Sequence, residues 1–343
     1  MKVAVVILNY NGRKFLEQFL PNVLDNTNAE MAEIVVADNA STDDSVVFMR
    51  EHFPQVRLIV NPSNGGFATG YNLALRKIEA EYYVLLNSDI EVTPHWIEPV
   101  IALMDADAQI AACQPKILSY HDKAKFEYAG ACGGFIDKYG YPFCRGRVFQ
   151  NLETDDNQYD APMEVFWATG ACMFVRADVF RQLGGLDDSF FAHMEEIDLC
   201  WRMKNAGYKV FCCPQSAIYH IGGGTLPKNS PRKTYLNFRN NLSLLVKNLP
   251  RNKVHRIILY RIMLDWVAAF KFLLEGCPRD FLAVFKAHCH FYKRLKSLRK
   301  QRVASTQGRV SCIYQRNVVF DCMLWGKKRF SDLNLKDFSA SAD

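Results

Sequence analysis

The chain has 343 residues, 49% hydrophobic and 23% charged, an ordinary composition for a globular protein with one large domain and an appendage, or with two domains. Its eleven cysteines include no CxxC pair, which argues against a disulfide framework and indicates a reducing cytosol. The net charge of +6 is uneven. Lys and Arg concentrate after about residue 228, which predicts a basic C-terminal surface facing lipid headgroups or nucleic acid.

The first hundred residues alternate strand and helix patterns. We expect the opening residues to form a strand, because they lack the small-residue cleavage site of a signal peptide. The predicted strands are Val3–Leu8, Glu33–Ala37, Val56–Val60 and Tyr82–Leu86, and the predicted helices are Arg13–Leu24, Asp43–Glu51 (capped by Ser41 or Thr42), Phe67–Ile78 and Pro94–Met104. This order predicts a doubly wound parallel sheet with right-handed crossovers.

The pattern loosens between residues 110 and 165 and then resumes. The later predictions are strands at Phe166–Arg176, Lys209–Cys213 and Ser216–His220, and helices at Ala177–Leu183 and Phe191–Ala206. From Pro231 to about residue 302 the chain is predicted to be helical and basic. Val254–Leu274 is apolar but contains Arg261, Asp265 and Lys271, so we expect it to lie on a membrane interface or to pack on the catalytic domain.

A buried strand that runs into acidic residues is the first candidate site. Tyr82–Leu86 is followed directly by Asn87-Ser88-Asp89, and ligands of open α/β sheets bind beyond the carboxyl ends of such strands. Asp89 is therefore a candidate ligand for a divalent metal that carries a phosphorylated substrate. His220 ends a later strand and would be a second ligand if the two strand ends converge. Each residue taken alone also fits a turn or a structural role.

Three further motifs carry candidate chemistry. Asp38 follows the second strand and could accept a hydrogen bond from a pyrimidine ring N–H, although its loop is equally explained as a turn and helix cap. The glycines of Asn64–Asn72 open a helix whose free N–H groups suit phosphate or ribose oxygens, or they serve close packing on the sheet. Glu195, Glu196 and Asp198 crowd a helix start, so at least one faces inward, where a raised pKa would suit a general base.

In this order, the motifs of roughly residues 1–250 resemble the family 2 glycosyltransferases, which have the GT-A fold. The matching segments are Val6–Gly12, Val36–Asp43, Asn64–Asn72, Leu85–Asp89, Thr169–Met173, Gly184–Asp187 and Glu195–Arg202. The chain is similar to rhamnosyltransferase-like bacterial members that build surface polysaccharides. The resemblance implies a Rossmann-like, mainly parallel α/β sheet flanked by helices, with a helical basic C-terminal extension. It divides the chain into a catalytic domain at 1–230, with a nucleotide-sugar half at about 1–110 and an acceptor half at about 111–230, and a helical region at 231–343.

The resemblance also implies roles for individual residues. Asp89 matches the last acid of the family's Asp-x-Asp metal motif, whose first acid is Asn87 here, and His220 matches the histidine that completes metal coordination. Glu196 stands where the family has its catalytic base, and Glu195 is the alternative. The implied nucleotide-sugar contacts are Asn9, Asn11, Asp38, Asn64, Gly66, Gly70, Asn72, Asn87 and Ser88. The implied acceptor-side residues are Trp167, Gly170, Asp198 and Arg202.

The implied function is a metal-dependent, inverting hexosyl transfer. The donor would be dTDP-rhamnose or a UDP-sugar with Mg²⁺ or Mn²⁺, and the acceptor a hydroxyl of a lipid-linked glycan or a polysaccharide. The expected location is the cytoplasm, at the inner face of the cell membrane, through peripheral contact with anionic lipid and without nucleic acid as a partner. The alternative is a non-catalytic nucleotide- or glycan-binding protein on the same fold. A nucleotidyltransferase would need a glycine-rich basic loop after the first strand, which Asn9-Tyr10-Asn11-Gly12 does not supply.

Overall fold

The computed structural model describes residues 1–222, 230–302 and 310–340. The strands are β1 (Val3–Asn9), β2 (Ala32–Asp38), β3 (Arg57–Val60), β4 (Tyr82–Asn87), β5 (Ile90–Val92), β6 (Ile110–Ser119), β7 (Gly134–Asp137), β8 (Pro142–Cys144), β9 (Arg147–Val148), β10 (Asn151–Leu152), β11 (Met163–Val165), β12 (Cys172–Arg176), β13 (Lys209–His220) and β14 (Ile313–Tyr314). The helices are α1 (Arg13–Asp25), α2 (Ser45–His52), α3 (Gly66–Leu75), α4 (Glu98–Ala106), α5 (Ala177–Gln182), α6 (Glu195–Asn205), α7 (Pro231–Asn248), α8 (Arg251–Leu274), α9 (Pro278–Lys300) and α10 (Val318–Met323).

The main sheet confirms the predicted α/β fold with helices on both faces. Its order in the described residues is β11-β13-β6-β12-β4-β1-β2-β3, and β5 pairs with the end of β13. Strands β1 to β4 are parallel, and their side chains are buried alternately in two cores, one on each face. The register pairs Asn9 with Asp38 and Leu8 with Asn87, so three of the predicted site residues meet at one edge of the sheet.

Several element boundaries differ from the sequence predictions. Strand β12 begins only at Cys172 and runs antiparallel between β4 and β6, whereas β6 itself was not predicted. The two predicted strands after residue 208 are one strand, β13, with a register shift between Cys213 and Ala217. Helix α2 begins at Ser45, so the predicted cap at Ser41 or Thr42 is wrong. The Ser41 hydroxyl instead donates a hydrogen bond to Asp38, and this bond stabilises the loop before α2 and not the helix itself.

A second, smaller sheet is formed mainly by strands between residues 134 and 152. Its order is β10-β9-β8-β7-β14 in the described residues, and β14 comes from the C-terminal segment. Ile313 pairs with Ile136, and the Tyr314 ring packs against Phe143. The segment 310–340 is thus not purely helical as predicted, because part of it completes this sheet.

The predicted helical C-terminal region is present as α7, α8 and α9, which pack on one another. Two charged residues of the apolar helix α8 face inward, since Arg261 donates to Asp265 at 2.8 Å and Asp265 lies 3.1 Å from His288 of α9. Its opposite face leaves Leu259, Met263 and Val267 exposed. No helix in the described ranges combines the length and the apolar character that crossing a bilayer requires.

Candidate active site

Asp38 lies at the carboxyl end of β2 and is tied to the neighbouring loops. It is buried, and one carboxylate oxygen accepts hydrogen bonds from Asn9 Nδ2 at 2.9 Å and Ser41 Oγ at 2.6 Å. The other oxygen accepts from the Ser41 N–H at 2.8 Å. These bonds fix the orientation of the carboxylate, since each lone pair used restricts its rotation.

Hydrogen bonds between side chains join the loops after β1, β2 and β3. The Asn11 side-chain oxygen accepts from the Thr42 N–H at 2.7 Å, which joins the first two loops. The Asn64 oxygen accepts from Asn39 Nδ2 at 3.0 Å and from the Gly66 N–H at 2.9 Å, which joins the second and third. Loops connected in this way form one preorganised surface beyond the strand ends.

Helix α3 is held close to its surroundings by three of the predicted residues. Gly66 has a φ of +83°, and a Cβ there would stand 2.4 Å from the Phe191 carbonyl oxygen. A Cβ at Gly70 would lie 2.9 Å from the Leu8 side chain, so Gly70 allows α3 to approach the sheet. Asn72 donates to the Leu186 carbonyl at 2.7 Å and to Asp188 at 2.8 Å. The contacts of Gly70 and Asn72 are thus structural.

Asp89 and His220 meet because β5 turns back from β4 and pairs with the end of β13. Asp89 Oδ1 lies 3.2 Å from His220 Nε2, and both side chains are buried. Asn87 Nδ2 lies 3.4 Å from the same ring nitrogen. Ser88 follows Asn87 and lies against the loop at Gly12, where a Cβ would be 3.5 Å from its hydroxyl. The strand ends thus gather all three residues of the acidic turn with the histidine.

Glu127 approaches the other nitrogen of the His220 ring, and sequence analysis missed it. Its carboxylate lies 3.2 Å from His220 Nδ1 and also accepts the Ala129 N–H. Burial alone would lower the pKa of His220, but the carboxylates of Asp89 and Glu127 raise that pKa to about 10. No sequence signal marks Glu127, because it lies in the irregular segment between β6 and β7.

The residues fit a divalent ion that is held partly by its substrate. Asp89 Oδ1 and His220 Nε2 are 3.2 Å apart. Adjacent ligands of an octahedral ion lie about 3 Å apart at the usual Mg²⁺ bond length. Glu127 would hold the far side of the imidazole, as carboxylates behind metal-bound histidines do. Among residues 1–222, 230–302 and 310–340 no three His, Cys, Asp or Glu side chains are grouped to hold a metal, so substrate phosphates would supply further ligands.

Glu195 and Glu196 begin α6 and are the least satisfied carboxylates of the site. Each has a buried oxygen without a hydrogen-bond partner in the described residues. Burial raises the pKa of Glu196 to about 7, and burial with the charge of Glu196 raises the pKa of Glu195 well above its usual range. Glu195 is only 4% exposed, whereas Glu196 is partly accessible. Of the two, Glu196 combines access with a pKa suited to a base.

The loop before α6 has an unusual backbone that a C-terminal helix supports. Phe191, His193 and Met194 all have positive φ angles, which is why α6 begins at Glu195 and not at the predicted Phe191. The Asn240 amide of α7 donates to the carbonyls of Phe190, Ala192 and His193 at 3.0, 2.9 and 2.8 Å. The position of the two glutamates therefore depends on α7.

Asp198 and Arg202 face away from solvent, inside a polar network. Asp198 accepts from Arg202 Nε, Lys247 Nζ and Asn248 Nδ2, each at 2.8 Å. Burial acts to raise the pKa of Asp198, but Arg202 and Lys247 keep that pKa below its usual value. Arg202 also donates to the carbonyls of Leu183 and Gly185 at 2.7 Å. These contacts give both residues a scaffold role and do not support the expected acceptor contacts.

Trp167 packs against strand β7 of the second sheet, and Gly170 packs against helix α3. The Trp167 ring is 4% exposed and donates from Nε1 to the Phe135 carbonyl at 2.9 Å. A Cβ at Gly170 would lie 2.8 Å from the Phe67 ring. Both residues therefore contribute packing beneath the site.

The sequence and the fold are similar to those of known glycosyltransferases. An N-acetylglucosaminyl-diphospho-decaprenol L-rhamnosyltransferase of Mycobacterium tuberculosis is 25% identical over 233 residues, which cover 64% of this chain and 75% of that protein. The mannosyltransferase PcManGT of Pyrobaculum calidifontis, solved with GDP-Man and Mn²⁺, superposes with a TM-score of 0.51 at 16% identity over 88% of this chain and 83% of its own. GalNAc-T7, solved with UDP, GalNAc and Mn²⁺, gives 0.55 at 16% identity over 72% of this chain, although the match spans only 48% of that longer chain.

The two structural neighbours establish the fold alone, because their sequence identity is low. The family profile is more specific, since it covers over half of the sequence and includes β2 to β4, nearly all of β1 and the acidic turn at Asp89. By that match over residues 4–184, the chain belongs to glycosyl transferase family 2.

Proposed function

We propose that the chain moves a sugar from a nucleotide-diphosphate donor to a hydroxyl of a lipid-linked or polysaccharide acceptor, with inversion at the anomeric carbon. The observation that carries this proposal is the pair of carboxylates at the start of α6, each with one buried oxygen that has no hydrogen-bond partner in the described residues. Burying a carboxylate without a partner is costly. Two such groups in one helical turn are therefore better explained by chemistry than by stability. They also count against a purely binding role.

Glu196 acts as the general base in this proposal. With a pKa of about 7 it is partly ionised at neutral pH and strong enough to take the proton of the acceptor hydroxyl. The hydroxyl oxygen forms the new bond to the anomeric carbon while the bond to the diphosphate oxygen breaks and the nucleoside diphosphate leaves. Glu195 is more deeply buried than Glu196, and burial together with the charge of Glu196 raises the pKa of Glu195 well above its usual range.

Asp89 and His220 would hold a Mg²⁺ or Mn²⁺ ion, and Glu127 would orient the histidine. The ion would neutralise charge that develops on the leaving diphosphate. Asn87 keeps the acidic turn beside His220 without adding a second carboxylate. Asp38, held by Asn9 and Ser41, is the proposed contact for the nucleotide base at the next strand end.

The donor and acceptor classes follow from the relatives. The mycobacterial relative is named for rhamnosyl transfer to a diphospho-decaprenol-linked sugar, and PcManGT was solved with a nucleotide-sugar and Mn²⁺. We extend this to dTDP-rhamnose or a UDP-sugar as the donor here. A peripheral contact of α8 and α9 with anionic lipid is part of the same proposal, and the exposed apolar face of α8 supports it.

A donor screen tests the proposal directly. Nucleotide-sugars are added to the chain with Mn²⁺ or Mg²⁺, and the melting temperature is recorded, because a ligand that binds only the folded state raises it. The donor with the largest shift is then incubated with a lipid-linked sugar acceptor, and NMR of the product reports the anomeric configuration. Retention of configuration, or the absence of any stabilising nucleotide-sugar, would contradict the proposal.

A further inference from the structure

A cavity lies beside the loop that leads into α6. It has a volume of about 580 Å³ and opens between α7 and α9. Four cationic side chains wall it: Arg232 and Arg239 from α7, and Arg279 and Lys286 from α9. Phe191, four residues before Glu195, forms another part of the wall. The cavity therefore borders the loop that precedes the candidate base, and the acidic turn and nucleotide loops do not contribute to its lining.

The cations of this cavity are not neutralised by the protein. In the described residues, Arg232, Arg279 and Lys286 have no carboxylate at ion-pairing distance, while Arg239 donates only to uncharged oxygens, including the carbonyls of Ser189 and Phe190 at 3.2 and 2.8 Å. Asp280, the acid next to Arg279, accepts a hydrogen bond from Thr234 at 2.5 Å. The uncompensated positive charge in a concave site suits an anion.

The pKa of a nearby histidine is affected by the same excess of positive charge. His290 lies one helical turn beyond Lys286 and its Nδ1 is 2.6 Å from the Tyr235 hydroxyl. Partial burial and the charges of Lys286, Lys293, Arg239 and Arg294 lower the pKa of His290. Arginine and lysine together in a pocket are the usual partners of phosphate, because guanidinium groups can donate two parallel hydrogen bonds to its oxygens.

An apolar strip begins at the mouth of the cavity. Leu282 lines the cavity and is 60% exposed, and Phe285 on the next turn of α9 is 50% exposed. The strip continues onto α8 through Trp266, whose ring centroid lies 6.3 Å from that of Phe285, and reaches the exposed Phe270 and Leu274. A polar cavity that leads onto an apolar strip matches a molecule with a phosphate head and a hydrocarbon tail.

We propose that this cavity binds the phosphate or diphosphate of a lipid-linked acceptor, with the lipid chain along α9 and α8. The inference rests on the proposed glycosyl transfer and identifies its acceptor class. Phosphate bound by Arg232, Arg279 and Lys286 would leave the attached sugar next to the loop that precedes Glu195 and Glu196. The charged cavity would thus position the acceptor hydroxyl, while the donor occupies the strand ends near Asp38 and Asp89.

The test compares two double variants of the full chain with equal changes in charge. Arg232→Gln/Lys286→Gln removes two cavity cations, and Lys328→Gln/Lys336→Gln removes two exposed lysines of the C-terminal segment. Calorimetry measures the affinity of each protein for farnesyl diphosphate and, separately, for inorganic pyrophosphate. We expect farnesyl diphosphate to bind the wild type, to bind the cavity variant about tenfold or more weakly, and to bind the control within about twofold. We expect inorganic pyrophosphate to bind the wild type more weakly than the lipid.

Two outcomes would overturn the proposal. If the cavity variant and the wild type bind farnesyl diphosphate with equal affinity, the cavity is not the binding site. If inorganic pyrophosphate binds as tightly as farnesyl diphosphate, the site does not recognise a lipid-linked acceptor. Donor binding is measured on the wild type in the same calorimeter with Mn²⁺. A wild type that binds no nucleotide-sugar contradicts the proposed function, whereas donor binding with an unaffected cavity variant contradicts this inference alone.

Discussion

The donor-side loops and the start of α6 treat their carboxylates in opposite ways. Asp38 is buried at a strand end with both oxygens hydrogen-bonded to Asn9 and Ser41. At the start of α6, Glu195 is buried and Glu196 is half-buried, and each has a buried oxygen without a partner in the described residues. A partnered carboxylate has a fixed direction and suits recognition, whereas an unpartnered one binds protons more tightly and suits proton transfer. Under the proposed function, Asp38 would serve binding and the glutamates would serve proton transfer.

The same contrast recurs within α6 itself. Asp198 lies two residues after Glu196 and has three partners at 2.8 Å, two of them cations. The difference arises from α7, which places Lys247 and Asn248 against Asp198 but brings no cation to the glutamates in the described residues. The following changes test whether the absence of partners, and not acidity alone, marks the reactive group.

The largest effect is expected from Glu196→Gln. The amide cannot accept the proton of the acceptor hydroxyl, so the transfer rate should fall about a thousandfold, within the range for loss of a general base. Initial rates with saturating donor measure the effect. Glu195→Gln serves as the matched control and should lose far less. A Glu196→Gln protein as active as the wild type would refute the contrast, and a larger loss in Glu195→Gln would reverse the assignment.

Breaking the partnered side of the comparison should cost stability. Lys247→Met leaves Asp198 and Asp187 without a shared cation and should lower the free energy of unfolding by about 3 kcal/mol, because a buried charge loses its partner. Urea denaturation measures the change. Lys271→Met removes a lysine from an exposed pair with Glu275 and should cost about 0.5 kcal/mol or less. If the two variants lose similar amounts of unfolding free energy, burial of the network around Asp198 contributes little to stability.

His220→Ala should weaken metal binding about ten- to a hundredfold. The substitution removes one expected ligand and leaves Asp89 alone on that side. Mn²⁺ added to the protein and followed by electron paramagnetic resonance measures the affinity without any turnover. His95→Ala is the control, since that side chain is 84% exposed and its ion-pair partner is Glu98. Unchanged Mn²⁺ affinity in His220→Ala would remove the histidine from the proposed metal site.

The smallest effect concerns the pH dependence of stability. Because the pKa of Glu196 is raised to about 7 in the folded state, this group makes the protein less stable as pH rises from its unfolded pKa, about 4.5, to about 7. Glu196→Gln removes that loss. From pH 5 to pH 8, the free energy of unfolding of the variant should therefore rise by about 1–2 kcal/mol relative to that of the wild type. Thermal melts at both pH values measure the difference. If the difference in stability between the variant and the wild type is the same at both pH values, burial does not raise the pKa of Glu196.

The parallel strands were predictable because their burial is local and visible in the sequence. Tyr82–Leu86 is an uninterrupted apolar run, and its direction placed Asp89 at the correct edge of the sheet. Strand β6 was not predictable by the same rule, since it contains Gln114 and Lys116. Those polar groups are buried with distant partners: Gln114 accepts the Thr169 N–H at 2.9 Å, and Lys116 contacts Asp155 at 2.8 Å.

The candidate site divides in the same way. The approach of His220 to Asp89 follows from two strand ends, which a strand pattern can place. The role of Glu127 depends on an irregular segment that no periodicity describes. Equally, nothing in Glu195–Asp198 distinguishes the unpartnered acids from the partnered one, because the distinction is made by Lys247 and Asn248 on α7.

The Asn240 contacts have a consequence for how this enzyme could be divided. The residues that hold the positive-φ loop before Glu195 lie on α7, beyond the boundary at residue 230 that the sequence suggests. Holding such backbone costs about 1–3 kcal/mol per residue, which must be offset by neighbouring contacts. A fragment that ends at residue 230 would retain Glu195 and Glu196 but lose their support. Fusions, truncations and domain exchanges would therefore need to keep α7 together with residues 1–230.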